Sequence, residues 1–446
     1  MVFSRFRRLT SAELVQIGAK LPTIIVVALV LRLGVAVFLP PPDDFMYLTE
    51  PGWTAANLAA GRGYVYDFYG TRPESPLLAF VPPLHPWLTA LALVLPNPPL
   101  AYGAFQAVLG TLTVWLIYRL AEGMAHRRIG ALAGWGAALY PAHVLLVGQP
   151  VSAILHTFCL TAVLVACWRT YVQPTAKQVV LAGALVGLFA LGRPQILAFV
   201  PVIVAWLALN KLRGRRLWQA AAALVLTPMV IVAPWLVRNA VVLGEPFLLS
   251  TNAGATFWNG NNPFTTGSGH DVYADKLAAY RGVKRDAELP DVYEHPEPYP
   301  FPPEVEARLQ TIPELELSQA LFQAGLDYIR QQPVDWLKLE GRKLISFWWF
   351  RPNLGANPLY RDHWTMLYRV QYALLLVLTV AGMAISARHW RKYSLIYAVL
   401  VFYTLSHTIF HALTRYRWEI ELLLLIFAAV ALDAAWHKFK ERLAGE

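Results

Sequence analysis

The sequence predicts an all-α polytopic membrane protein of about ten transmembrane helices. Amphipathic surface helices are expected in its first outer loop, and a small soluble subdomain on its outer face. Three observations carry this. Of 446 residues, 57% are hydrophobic and only 15% charged, which lies outside the soluble globular range. Apolar runs recur near the length of about 20 residues that a spanning helix needs. The loops between those runs are alternately basic, as the positive-inside rule requires.

The runs fall near 21–39, 99–120, 130–149, 151–168, 178–192, 195–209, 217–237, 366–386, 393–412 and 418–437. The first follows FSRFRR and reads as a signal anchor that is kept, because its apolar part exceeds a cleaved h-region. Arg5, Arg7 and Arg8 precede it. Arg119, Arg127 and Arg128 follow the second run, Arg169 and Lys177 the fourth, and Lys211, Arg213, Arg215 and Arg216 the sixth. Arg388, Arg391 and Lys392 follow the eighth, and Lys438, Lys440 and Arg442 the tenth. Both termini are then cytoplasmic and the loop after the first run is outside. The apolar segment Pro82–Leu95 is too short to span and reads as a helix on, or dipping into, the outer surface.

The formal charge of +10 is divided among short loops instead of forming a patch, so it marks topology and not nucleic-acid binding. Cys159 and Cys167 share one apolar run. Eight helical residues separate them by roughly 12 Å, beyond the roughly 7 Å a disulfide tolerates, so both read as packing residues. Gly130/Gly134 and Gly183/Gly187 are spaced for close helix approach. Runs five and six are short and meet at Gly192-Arg193-Pro194-Gln195. Their arms reach only about 22 Å at 1.5 Å per residue, so Arg193 sits below the surface and needs a polar partner.

Three units are expected: 1–237 with the catalytic outer loop at 40–98, a hydrophilic subdomain at 238–365, and terminal helices at 366–446. The middle unit opens with Arg238 and Asn239, and is dense in Asn, Gly and Thr. A Pro-rich acidic stretch follows, then two helices over 313–331 and 333–350, the second ending in the aromatic FWWF.

Candidate chemistry gathers outside. Asp43 and Asp44, just beyond the first span, suit a general base for an acceptor hydroxyl; alternatively they mark a solvated turn. Glu74 is a further acid in that loop. Arg415, Tyr416 and Arg417 place two arginines outside, against the charge trend. A phosphate is one natural partner, and local pairing with Glu419 or Glu421 is the other. Arg193 and Arg238 join them as outer cations. His85, in PPLHP, is either a substrate contact or a packed histidine. Asn252, Asn259, Asn261 and Asn262, with Trp258, suit sugar hydroxyls and a sugar face, or are turn formers.

Taken in order, the motifs resemble the bacterial lipid-dependent glycosyltransferases of the C-type superfamily, which includes protein O-mannosyltransferases and aminoarabinose transferases. The resemblance rests on Asp43–Asp44, G-R-G-Y at Gly61–Tyr64, PPLHP at Pro82–Pro86, LGRPQ around Arg193, RNAVVLGEP at Arg238–Pro246, STNAGATFWNGNNP, and RYRWEIE at the last span. It implies a polyprenyl-phosphate-linked sugar donor, inversion at the anomeric carbon, and a multi-pass protein of the bacterial inner membrane facing the periplasm. It implies Asp43 as base, with Asp44 beside it, and a lipid phosphate on Arg415, Arg417 and Arg193. The acceptor is a protein, lipid or polysaccharide hydroxyl. No cofactor, metal or nucleic acid is expected. A transporter of lipid-linked sugars, or a ligase or polymerase using diphosphate-linked glycans, are the alternatives; a transporter would place its polar groups at the midplane of inverted repeats.

Overall fold

The computed structural model describes residues 21–67, 72–244, 249–267, 301–350 and 362–445. Arg5, Arg7 and Arg8, and most of the Pro-rich acidic stretch, lie outside them. The described chain is helical, with one isolated antiparallel bridge between Tyr66 and Leu77.

Helix α1 (Leu21–Phe38) buries Ile24, Ala28 and Arg32 on one line and exposes Val26, Val30 and Val37 on another. That two-sidedness is expected where both faces are apolar and only packing distinguishes them. After a short first-loop helix α2 (Glu50–Ala59) and α3 (Leu84–Leu93), the chain enters α4 (Pro98–Met124). Next come α5 (Arg127–Leu139), α6 (Pro141–Leu145), α7 (Ala153–Val172), α8 (Ala176–Ala190), α9 (Val200–Asn210) and α10 (Gly214–Leu243). Four helices then cap one end of the bundle: α11 (Ala253–Gly260), α12 (Pro303–Glu306), α13 (Glu314–Gln331) and α14 (Pro333–Trp348). The chain closes with α15 (Asp362–Ser386), α16 (Trp390–Ile409) and α17 (Thr414–Gly445).

Among the described residues, six stretches are long and apolar enough to cross a membrane, making this a multi-pass membrane protein: α1, α4, α7, α10, Met366–Ile409 and Thr414–Arg442. A seventh results if α5 and the bent 141–148 segment form one span. The expected count of ten is not reached on that measure, for physical reasons. The run at 130–149 breaks by 49° at Pro141, and α8 and Pro194–Asn210 are short. The segment Pro194–Phe199 is a 3₁₀ turn before α9 begins. Helix α3 has 10 residues, too few to span.

Helices α7 and α17 form the centre, with most of their apolar residues buried, whereas α1 is largely exposed. Helix α15 packs along α17 and turns Met366, Val370, Leu374 and Val377 outward, a stripe at one-turn spacing for lipid. Gly183 and Gly187 are where α8 meets α10: a Cβ at Gly187 would lie 2.9 Å from the Cα of Pro228. Opposite the α11–α14 cap, Arg128 pairs with Asp433 at 3.1 Å and Lys211 donates to the Val172 carbonyl.

Candidate active site

The first loop is held down by one aromatic. Phe45 begins a 3₁₀ turn and inserts beside Tyr102, ring centroids 4.9 Å apart, with Ala92 completing the pocket. This seats Asp43 and Asp44 just before it, both exposed. Thr49 then caps α2, its hydroxyl accepting from Gly52 N at 3.2 Å, with Pro51 in the first turn. A Cβ at Gly52 would lie 2.1 Å from the Met46 carbonyl oxygen, so this tight turn requires glycine.

The cap fixes a carboxylate that the sequence reading passed over. Glu50, at the first position of α2, is half-buried; burial raises its pKa above the usual carboxylate range, and the nearby Arg415 charge opposes that shift. The signal was present, since Thr-Glu-Pro is a helix start. Glu74 is exposed in a bend.

At the head of α17 the arginines separate. Arg417 is fully buried: Nε donates to Glu421 Oε1 at 2.8 Å, Nη1 to the Phe347 and Trp349 carbonyls at 2.6 and 2.8 Å, and Nη2 to the Tyr368 hydroxyl. Its fork is committed within the protein, so the expected phosphate contact at Arg417 is replaced by local pairing with Glu421. Arg415 is half-buried, makes no hydrogen bond or ion pair among the described residues, and lies over the Tyr416 ring at 5.5 Å. Arg193 covers that ring too, at 4.7 Å, while His407 stacks on it at 4.5 Å.

Arg193 also has the partner its depth demands. Nη2 and Nε reach Glu419 Oε1 at 2.5 and 3.1 Å, and Nε donates to His156 Nδ1 at 3.1 Å. His156 was missed because it lies inside an apolar run, although an ionisable residue there is itself a functional signal.

Several other candidates are buried or hydrogen-bonded within the protein. His85 is buried with Nε2 3.0 Å from the Tyr102 hydroxyl, and burial, with His156 nearby, lowers its pKa to about 3. The ring packs edge-on against Tyr102 and is enclosed by the protein. Arg238 donates to the Leu78 and Tyr64 carbonyls and to Asn239 Oδ1, and lies over Trp235 at 4.8 Å. Asn239 is fully buried. Asn261 donates to the Phe257 and Ile409 carbonyls and accepts from Trp336 and Lys343. Asn262 accepts from the Phe264 and Thr265 backbone, and Trp258 is buried, so neither presents a face to a sugar. Asn252 accepts from the Ser250 hydroxyl, and Asn259 remains half-buried.

Residues 81–237 match the dolichyl-phosphate-mannose-protein mannosyltransferase family, under half of the chain; the match excludes both Asp43–Asp44 and Arg415–Arg417. No curated protein matches. The Archaeoglobus fulgidus oligosaccharyltransferase in its apo form superposes with a TM-score of 0.54 at 14% identity, over 95% of this chain and 51% of that one. The archaeal oligosaccharyltransferase AglB from the same organism, with an inhibitory peptide and a dolichol-phosphate, gives 0.52 at 15% identity, covering 95% and 51%. ArnT from Cupriavidus metallidurans bound to undecaprenyl phosphate gives 0.43 at 17%, covering 95% and 80%. The fold and the matched segment are those of the C-type superfamily of membrane glycosyltransferases. Within that class, the chain spans about half the length of the archaeal oligosaccharyltransferase it resembles.

Proposed function

We propose that this chain is an inverting glycosyltransferase that moves a sugar from a polyprenyl-phosphate donor to an acceptor hydroxyl on the extracytoplasmic face of the bacterial inner membrane. The observation that carries the reading is Arg415, a cation at the head of α17 with no hydrogen-bonded partner among the described residues, at the bundle end that also holds the first loop. Its electrostatic contact with Glu50 links that loop to the arginine. The donor phosphate docks on Arg415, with Arg193 behind the Tyr416 ring contributing field but not its committed donors. Asp43, or Asp44 beside it, takes the proton from the acceptor hydroxyl. The hydroxyl oxygen attacks the anomeric carbon as the sugar–phosphate bond breaks, and the lipid phosphomonoester leaves with its charge on Arg415. An arginine suffices to neutralise that leaving group, so transfer is expected to survive exhaustive chelation.

The topology of this reading counts ten spans. Helices α8 and Pro194–Asn210 then form a short hairpin, and α15 and α16 are two spans joined at Ala387–His389. Residues 1–237 and 366–446 are the membrane units, with 238–365 the outer subdomain. The mannosyltransferase family match and the dolichol-phosphate held by the archaeal relative support a lipid-monophosphate donor.

The test uses membranes carrying the wild type, Asp43→Asn and Asp44→Asn, supplied with a radiolabelled polyprenyl-phosphate sugar. A general base contributes about 10²–10⁴-fold, so one of the two variants loses transfer by that factor while still binding donor. Full transfer by both overturns the assignment. Transfer only from a diphosphate donor overturns the monophosphate reading.

A further inference from the structure

In the middle of α1 sits Arg32, with no exposure at all. An arginine at that depth is costly without compensation, and its hydrogen-bond partners are all backbone carbonyls. Nη2 donates to Ala137 O at 3.0 Å, and Nη1 to Ala138 O at 3.2 Å and to Ala28 O of its own helix at 3.3 Å.

Ala137 and Ala138 are among the carbonyls that lose their helical donors at the break between α5 and α6. Helix α5 stops at Leu139, Tyr140 is extended (φ −66°, ψ 105°) and Pro141 restarts the chain as the first residue of α6. In an unbroken helix, the N–H of residue 141 would reach Ala137 O, and that of residue 142 would reach Ala138 O. Proline has no N–H, and it also drives the residue before it out of the helical region. In lipid such carbonyls must find a donor elsewhere. Arg32 supplies both from a neighbouring helix. Room for it comes from α4: a Cβ at Gly110 would lie 2.7 Å from Arg32 Nε.

The break has a use. It turns the Tyr140 hydroxyl onto Glu421 Oε2 at 2.8 Å and His143 Nε2 onto the Trp418 carbonyl at 2.7 Å. Both contacts fall on the first turns of α17, around Arg415 and Arg417. We infer that Arg32 is a positioning residue: it replaces the amide donor removed by Pro141 and so holds a 49° break that braces the head of α17. Its effect on transfer rests on the function proposed above, whereas its effect on the break does not.

The full-length protein in nanodiscs is measured as wild type, Arg32→Met, Pro141→Ala and the double variant. Arg32→Met removes the donors at similar length, and Pro141→Ala restores the missing N–H. Arg32→Met is expected to lower the melting temperature by several degrees, and Pro141→Ala to recover at least half of that loss in the double variant. Transfer falls at least tenfold in Arg32→Met and stays low in the double variant, because a straightened helix carries Tyr140 and His143 away from α17. Melting shifts that simply add across the two sites overturn the inference. So does an unchanged melting temperature in Arg32→Met with a raised donor KM, the mark of a ligand contact. If the wild type transfers no sugar, the transferase reading fails while the melting cycle still decides the role of Arg32.

Discussion

Arg417 lies two positions after Arg415, a rotation of about 200° around a helix, so their guanidiniums face nearly opposite ways. Arg417 turns into the bundle, where Glu421, Tyr368 and two carbonyls await it; Arg415 turns toward the first loop. Substitution should therefore separate stability from affinity. Arg417→Ala leaves Glu421 buried without its counter-charge, a loss of about 3–5 kcal/mol, seen as a collapsed melting temperature in detergent. Arg415→Ala keeps its melting temperature but raises the donor KM tenfold or more; an unchanged KM would remove Arg415 from the phosphate site. The sequence made both arginines and both glutamates visible but not which pairs with which, because pairing depends on helix phase and on Tyr140 and Tyr368, 281 and 53 residues distant from Glu421. Arg193 was legible as needing a partner. Its partner is Glu419, from a helix 226 residues later in the chain.

At the scale of elements, the cap is tied to the first loop by Glu314 at the start of α13. Its carboxylate accepts from the Leu78 and Ala79 amides and from the Thr251 hydroxyl. Arg72 holds the Ile312 carbonyl at 2.7 Å, and Thr251 N donates to Ala79 O at 2.9 Å. Glu314→Ala leaves two amides seeking water, a cost of about 1–3 kcal/mol for each buried group left unpaired. Hydrogen exchange over residues 72–81 should rise in that variant while α7 stays protected. Equal exchange in both would mean the segment is held by its other contacts. Elements were read more reliably than their interruptions. Every expected run contains helix, and the segment 82–95 forms the short α3. The break in the third run was passed over, although Tyr140-Pro141 is a sequence signal for one. A proline's consequence in a membrane depends on what neighbouring helices donate, and here that donor comes from α1.

For the molecule as a whole, charge and topology make one statement. Arg128, Lys211 and Arg391 gather at one end, and the Asp43 loop and the cap at the other. Cys159 and Cys167 are buried, so the native protein gives little thiol background. A membrane-impermeant maleimide should label Glu74→Cys from the outer side in sealed cells, and Lys392→Cys only after permeabilisation. The reverse pattern would invert the protein and put the proposed site in the cytoplasm. Composition settled the class from the sequence because hydrophobic content and loop charge are additive properties that need no tertiary knowledge. The bent spans and the cap clamp are not additive in that sense; they follow from which helices become neighbours.

Arg417 and Glu421 stand one turn apart on the same helix, joined at 2.8 Å. Neighbours at that spacing can meet as soon as the helix itself exists. The two charges therefore need not wait for Tyr140 or Tyr368 before neutralising each other. During synthesis, the last helix can leave the insertion machinery for lipid with this pair already closed and its local charge cancelled. The earlier helices then dock on a segment whose electrostatic problem was solved at the moment of its own folding.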